Sequence, residues 1–324
     1  MTKPTLSLNF SDIKLINGTE LNNSTMRTSI SDFIVVYFAL AIALLGLVGN
    51  GLVLWVLFFR LRKTPFTVYI LNLAVADFLL LLISMVVLLC IVCGLWIQIE
   101  ENLTITGFLL TAVYYAGLLI LTAISVERCL SLIFPFWYRC KRPKYQSSLA
   151  SAIFWVVSIL LTCMEYFGCN DEEYRKSDLK CDVIIISIST LILLVFSPAM
   201  VLSSLILFIK IWTKTWRRHS STLYIVILVT VVIFILFTLP PRILSLLMYL
   251  DIVHVQNFFV MYTWALFCNV VNSAANPFVY FFVGSMGKQG VGRSIQGVLQ
   301  KVFKEDSDIS QEAAQEIETS EIKM

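Results

Sequence analysis

Hydrophobic residues in this chain gather into seven long runs, and the polar stretches between them sort by charge. Apart from Asp77, no Asp, Glu, Lys or Arg interrupts Phe33–Phe59, Thr64–Ile99, Asn102–Val126, Tyr145–Met164, Val183–Ile209, Ser220–Pro241 or Val255–Gly287. An α-helix rises about 1.5 Å per residue, so roughly 20 apolar residues cross a hydrocarbon core. Every run reaches that length, and the sixth is expected to continue through Arg242 to about Leu250. In lipid each backbone N–H and C=O must be satisfied within its own segment, which selects helices over open strands. The pattern predicts an all-α chain, a seven-helix transmembrane bundle over residues 33–285.

Charge then orients the bundle. The connections after runs one, three and five hold Arg60, Arg62, Lys63, Arg128, Arg139, Lys141, Arg142, Lys144, Lys210, Lys214, Arg217 and Arg218. The other three hold only Arg175, Lys176 and Lys180 as bases, beside acids such as Glu100, Glu101, Asp171, Glu172 and Glu173. Basic loops stay in the cytoplasm, so the amino terminus is expected outside and the carboxyl terminus inside. Residues 1–32 fit an exterior tail, with glycosylation sequons at Asn9, Asn17, Asn22 and Asn23. They contain no cleavable signal core, so the first run is expected to serve as an uncleaved anchor. Residues 286–304 place Val291, Ile295, Val298, Leu299, Val302 and Phe303 at helical spacing, with Arg293, Lys301 and Lys304 interleaved. That predicts a short amphipathic helix on the inner leaflet. Residues 305–324 are acidic and polar and are expected to be disordered.

With 58% hydrophobic and 14% charged residues, the chain does not read as soluble or as a nucleic-acid binder. His219 and His254 are the two histidines, and no phosphate loop, nucleophile triad or metal-ligand spacing is present. Nothing here reads as an enzyme.

A charge at the centre of a membrane helix costs about 2.5–3.5 kcal/mol, so polar groups in the runs are functional candidates. Gly49-Asn50 lies on run one and Leu73-Ala74-Val75-Ala76-Asp77 on run two. Glu127-Arg128-Cys129 ends run three, with Pro135 seven residues after the Arg, and Asn272–Tyr280 (NSAANPFVY) lies on run seven. This set, in this order, resembles the rhodopsin-like G-protein-coupled receptors, with Glu-Arg-Cys varying on their Asp-Arg-Tyr and Asn276–Tyr280 matching their N-P-x-x-Y. Leu121–Ser147, Thr64–Asp77 and Ser273–Ser285 look like the Mas-related receptors in particular, and the resemblance runs from about Phe33 to Phe303.

The resemblance implies several sites. Asp77, with Asn50, Asn272, Ser273 and Asn276, would line a watery cavity able to hold a sodium ion, although Gly117 stands where a Ser is usual. A water-satisfied structural carboxyl is the alternative. Arg128 would pair with Glu127 at rest and swing free to meet a G protein, into which Phe136, after Pro135, would insert. Arg217–Thr222 contains no acid to complete that lock from the sixth helix. Pro198, Leu118 and Phe234 match a packing trio, Pro240 a hinge and Pro277 and Tyr280 the inner switch, with Thr238 where a Trp is usual. Cys169 and Cys181 match the family's outer disulfide; free thiols, or pairing with Cys90 or Cys93, remain open.

For the ligand, Glu165 matches an acid used by family members that bind basic ligands, while their second acid is Ile185 here. Glu165 and Arg242, with Tyr114, Tyr262 and Trp264, are expected to face an outer pocket, unless Glu165 and Arg242 simply pair. Leu110 and Val270 stand at positions that would mark a monoamine receptor or an opsin. The expected function is a plasma-membrane receptor for an extracellular peptide or a small zwitterionic or cationic ligand. Its partners would be a G protein of the Gq/11 class or Gi, arrestin, receptor kinases and membrane lipid. Two other readings stay open: a ligand-independent partner of other receptors, and a transporter, against which the lack of an inverted repeat counts.

Overall fold

The computed structural model describes residues 30–61, 64–94, 96–134, 138, 142–143, 145–168, 179–212, 221–250, 252–253 and 258–285. The sequons at Asn9, Asn17, Asn22 and Asn23, together with Pro135, Phe136, Cys169, the expected surface helix and the acidic tail, lie outside the described residues. The regular structure that is described is all helical and forms seven membrane-length helices.

Helix α1 spans Ile30–Phe59 and buries one stripe, Val36, Ala39, Ala43, Asn50, Val53 and Leu57. That three-to-four-residue repeat is one face of a helix, and the other faces stay apolar for lipid. Helix α2 spans Pro65–Val92. Thr64 caps it, accepting from the Thr67 backbone N–H while the Thr67 hydroxyl accepts from the Thr64 N–H, with Pro65 in the first turn where its missing N–H costs nothing. Gly94, at φ 69°, turns the chain out of α2.

Helix α3 spans Trp96–Ile133 and is the axis of the bundle: 61% of its membrane window is buried, against 22% for α4. It takes in Trp96–Ile99, Glu100 and Glu101, which sequence reading divided between the second run and a loop. Two charges near a helix end do not stop a helix; the left-handed turn at Gly94 marks the boundary instead.

Helix α4 spans Gln146–Gly168 and presents a small hydroxyl edge, Ser147, Ser151, Ser158 and Thr162, to its neighbours. Trp155 Nε1 donates to Asn72 Oδ1 of α2 at 3.1 Å. Helix α5 comprises Leu179–Leu191 and Ser197–Trp212, joined by a π turn at Ile192–Phe196. Pro198 has no N–H to continue the ladder; Ser197 redirects it by donating both its backbone N–H and its hydroxyl (2.8 Å) to the Ile192 carbonyl.

Helix α6 comprises Ser221–Phe237 and Leu239–Tyr249, interrupted at Thr238 ahead of Pro240 and Pro241. It reaches Tyr249, close to the expected Leu250, but in two pieces rather than one run. Helix α7 spans Phe258–Ser285 and continues through Pro277.

The core has two centres. The larger joins α2, α3, α5 and α6 through residues such as Tyr115, Leu118, Met200 and Phe234. The smaller seals α1, α2 and α7 through Val36, Ala39, Ala43, Leu81, Val270 and Ala274. In it α1 and α7 approach so closely that a Cβ on Gly46 would sit 2.6 Å from the Ala274 Cβ.

Candidate functional site

Three polar sites are strung along α3, one near each end of the bundle and one between. At the end opposite Arg128, α3 supplies Tyr115, α4 supplies Glu165 and α6 supplies Arg242. Tyr115 donates its hydroxyl to Glu165 Oε2 at 2.5 Å and accepts from Arg242 Nη2 at 2.8 Å. Arg242 Nη1 lies 3.9 Å from Glu165 Oε1, and the two side chains keep 18% and 24% of their surface exposed. This is an ion pair closed through a phenol, with both charged side chains still partly exposed. The pairing of Glu165 with Arg242, left open by sequence, is therefore present, and Tyr115, which is not among the expected ligand residues, is its third member. Adjacent tyrosines point about 100° apart on a helix, so the Tyr114-Tyr115 dipeptide alone could not say which one meets the charges. Tyr114, its ring 5.4 Å from that of Tyr115, borders the middle cavity.

The other two expected pocket residues are not brought to this pair. Tyr262 packs against the α1–α2–α7 centre. Trp264 lies with Val260, Phe278 and Phe282 on an exposed stripe of α7. On a helix crossing lipid an exposed aromatic stripe faces the bilayer, and residue type alone does not separate that role from pocket lining.

Midway along the bundle Asp77 is buried and accepts from Asn276 Nδ2 at 2.6 Å. Beside it lies a cavity of about 20 Å³ open to the centre of a water molecule, bordered by Asp77, Asn269, Asn272, Ser273 and Asn276 on its polar side. The volume suits one small hydrated species. Gly117 borders the same space, and a Cβ there would meet nothing within 4 Å. Asn50 sits at the α1 edge, donating to the carbonyls of Gly46 (3.0 Å) and Ser273 (3.2 Å). Asp77, Asn272, Ser273 and Asn276 thus border one cavity together with Asn269, one turn earlier on α7, while Asn50 reaches the group only through the Ser273 carbonyl. Among the described residues no three His, Cys, Asp or Glu come together as a metal cluster.

At the third site Arg128 is buried, its guanidinium carbon 3.7 Å from the Phe66 ring centroid. Its neighbour Glu127 is engaged from elsewhere. Arg142 Nη2 reaches Glu127 Oε1 at 2.5 Å, Tyr69 donates to the same oxygen at 3.0 Å and Tyr138 to Oε2 at 3.3 Å. Leu118 and Phe234 are both buried in the larger centre, Pro198 follows the π turn, Pro240 opens the second part of α6 and Tyr280 is buried near the end of α7. Cys181 is in a disulfide, while Cys90, Cys93, Cys129, Cys163 and Cys268 are free. That removes Cys90 and Cys93 as its partners.

Comparison with known proteins gives a consistent result. The profile of the 7 transmembrane receptor (rhodopsin family) matches residues 49–280. The chain is 42% identical to the rat protein named Proto-oncogene Mas, over 92% of each sequence. It is 45% identical to the human protein of that name over 84% of each. It is 37% identical to rat Mas-related G-protein coupled receptor member H, over 88% of this chain and 89% of the relative.

Proposed function

The chain belongs to the rhodopsin family of seven-transmembrane receptors and to its Mas-related group, and on that premise we propose how this G-protein-coupled receptor works. It is a multi-pass protein of the plasma membrane, and its relatives are receptors rather than enzymes. In the reading favoured here the amino terminus is extracellular and the Arg128 end faces the cytoplasm, because the basic loops gather at that end.

The ligand is a peptide or small molecule carrying both signs of charge. The observation that carries this is the Glu165–Tyr115–Arg242 cluster: two opposite charges, each partly exposed, held in register by one phenol. A ligand ammonium would take over Glu165 and a ligand carboxylate Arg242, each charged hydrogen bond exchanging for one already present. With Ile185 where related receptors carry a second acid, a purely cationic ligand has one anchor and a zwitterion has two.

Ligand entry would pull α6 relative to α3, since Arg242 belongs to α6 and Tyr115 to α3. The interruption at Thr238–Pro240 gives α6 a place to bend, and its other half would swing to admit a G protein of the Gq/11 class, or Gi. Arrestin and receptor kinases are expected at the same face. A sodium ion fits the Asp77 cavity in chemistry, one carboxylate with neutral hydroxyl and amide oxygens, and would favour the resting state.

The test is a screen of peptides and amino-acid derivatives on cells expressing the receptor, read by calcium and cyclic AMP together. For any agonist found, E165Q and R242Q should each reduce potency by about ten-fold or more. Unchanged potency in both variants would remove the Glu165–Arg242 pair as the ligand site.

A further inference from the structure

Arg142 is a buried cation that the family pattern leaves without a role. It comes from the segment between α3 and α4, and only 4% of its side chain is exposed. A guanidinium is seldom buried so far unless paired. Here Nη2 donates both to Glu127 and to Ser147 Oγ at 2.6 Å, and the group lies over the Tyr138 ring, 4.7 Å from its centroid. Glu127 itself is 12% exposed and accepts three donors, from Arg142, Tyr69 and Tyr138. A carboxylate offers about four acceptor sites, so most of its capacity is directed toward α2 and the α3–α4 segment.

We propose that Arg142 is a positioning residue of the G-protein switch: it holds the Glu127 carboxylate, weakens the grip of Glu127 on Arg128 and so raises the ligand-free readiness of the receptor for its G protein. The proposal rests on the G-protein coupling read above for this end of the bundle. Its sign follows from Coulomb's law, because two cations beside one carboxylate compete for it. Remove Arg142 and the carboxylate has one cation fewer to divide itself between, so its hold on Arg128 strengthens, which favours rest. With no acid in Arg217–Thr222, the sixth helix offers no second hold, so the balance between Arg142 and Arg128 at Glu127 sets the level.

The experiment measures binding of engineered Gq- and Gi-class mini-G proteins to purified, ligand-free receptor for wild type, R142Q, R142K, E127Q and E127Q/R142Q. R142Q should weaken binding about ten-fold or more, the scale of a charged hydrogen bond, with R142K lying between it and wild type. E127Q should bind at least as tightly as wild type, and in that background R142Q should add nothing, since the two act through one carboxylate. A merely structural Arg142 would lower yield without this coupling. Wild-type affinity in R142Q, or an undiminished loss in the double variant, overturns the proposal alone. Failure of all five to bind either mini-G protein overturns the coupling reading and the proposal with it. Should R142Q not fold, Y69F, which deletes another donor to the same carboxylate, should strengthen the Glu127 hold on Arg128 and weaken binding; no change there counts against the proposal.

Discussion

Asn50 donates its amide to the carbonyl of Ser273, 3.2 Å away, and that carbonyl is the one Pro277 leaves without a helical partner. Proline lacks the N–H that would bond four residues back, so as α7 continues through Pro277 the Ser273 carbonyl needs a donor from elsewhere. A neighbouring helix supplies it here, and Gly49, one residue before Asn50, lets α1 come close enough: a Cβ there would lie 2.9 Å from the Pro277 ring. The tilt of α7 beside the Asp77 cavity thus depends on a side chain of α1.

Asn50→Leu should therefore destabilise the receptor by about 1–3 kcal/mol, the cost of a buried carbonyl left unpaired. A thermal melt of purified receptor measures this, and a stability within about 0.5 kcal/mol of wild type would show that Asn50 is not the partner α7 needs.

Two glycines with opposite surroundings give a paired prediction. Gly46→Ala would press its methyl on Ala274, and both helices are fixed backbone at that point, so a loss of about 1–3 kcal/mol and reduced surface expression are expected. Gly117→Ala would add a methyl to open space in the Asp77 cavity and should melt within about 0.5 kcal/mol of wild type. Equal losses in both would contradict the packing described.

Tyr115→Phe keeps the ring and deletes the hydroxyl that joins Glu165 to Arg242. Melting stability should fall by about 1–2 kcal/mol. In a double-mutant cycle with Glu165→Gln the losses should be less than additive, because both changes remove the same bond. Full additivity would mean that the phenol and the carboxylate act independently.

Sodium dependence tests the middle site. If the cavity holds the ion, sodium chloride should raise the melting temperature of the ligand-free receptor more than choline chloride at equal ionic strength, as expected when a ligand binds only the folded state. Asp77→Asn should abolish the difference. A sodium effect that survives in Asp77→Asn would place the ion elsewhere.

The parts of this architecture written in the sequence are those set by composition within one segment. Seven runs free of charge save for Asp77 specify seven helices because each is long enough to cross lipid with its backbone bonded internally, and the Asp77 cluster follows from polar residues where polar residues are costly. What depends on side chains from different helices was less legible. The spacing of Glu165 and Arg242 gave no hint of Tyr115 between them, and Trp264 looked the same as a pocket aromatic or a bilayer-facing one. Arg142 read as one more base in a basic loop, since only folding brings it to Glu127, fifteen positions earlier. The π turn before Pro198 was likewise invisible: a proline announces a broken ladder but not how Ser197 repairs it.

Receptor function requires the two ends of the bundle to face different compartments, the Glu165–Arg242 pair outside and Arg128 with Arg142 inside. The direct measurement is antibody labelling of epitope tags at Met1 and after Met324, in intact and in permeabilised cells. The amino-terminal tag should label on intact cells and the carboxyl-terminal tag only after permeabilisation. The reverse pattern would put the Glu165–Arg242 pair in the cytoplasm and contradict the receptor mechanism.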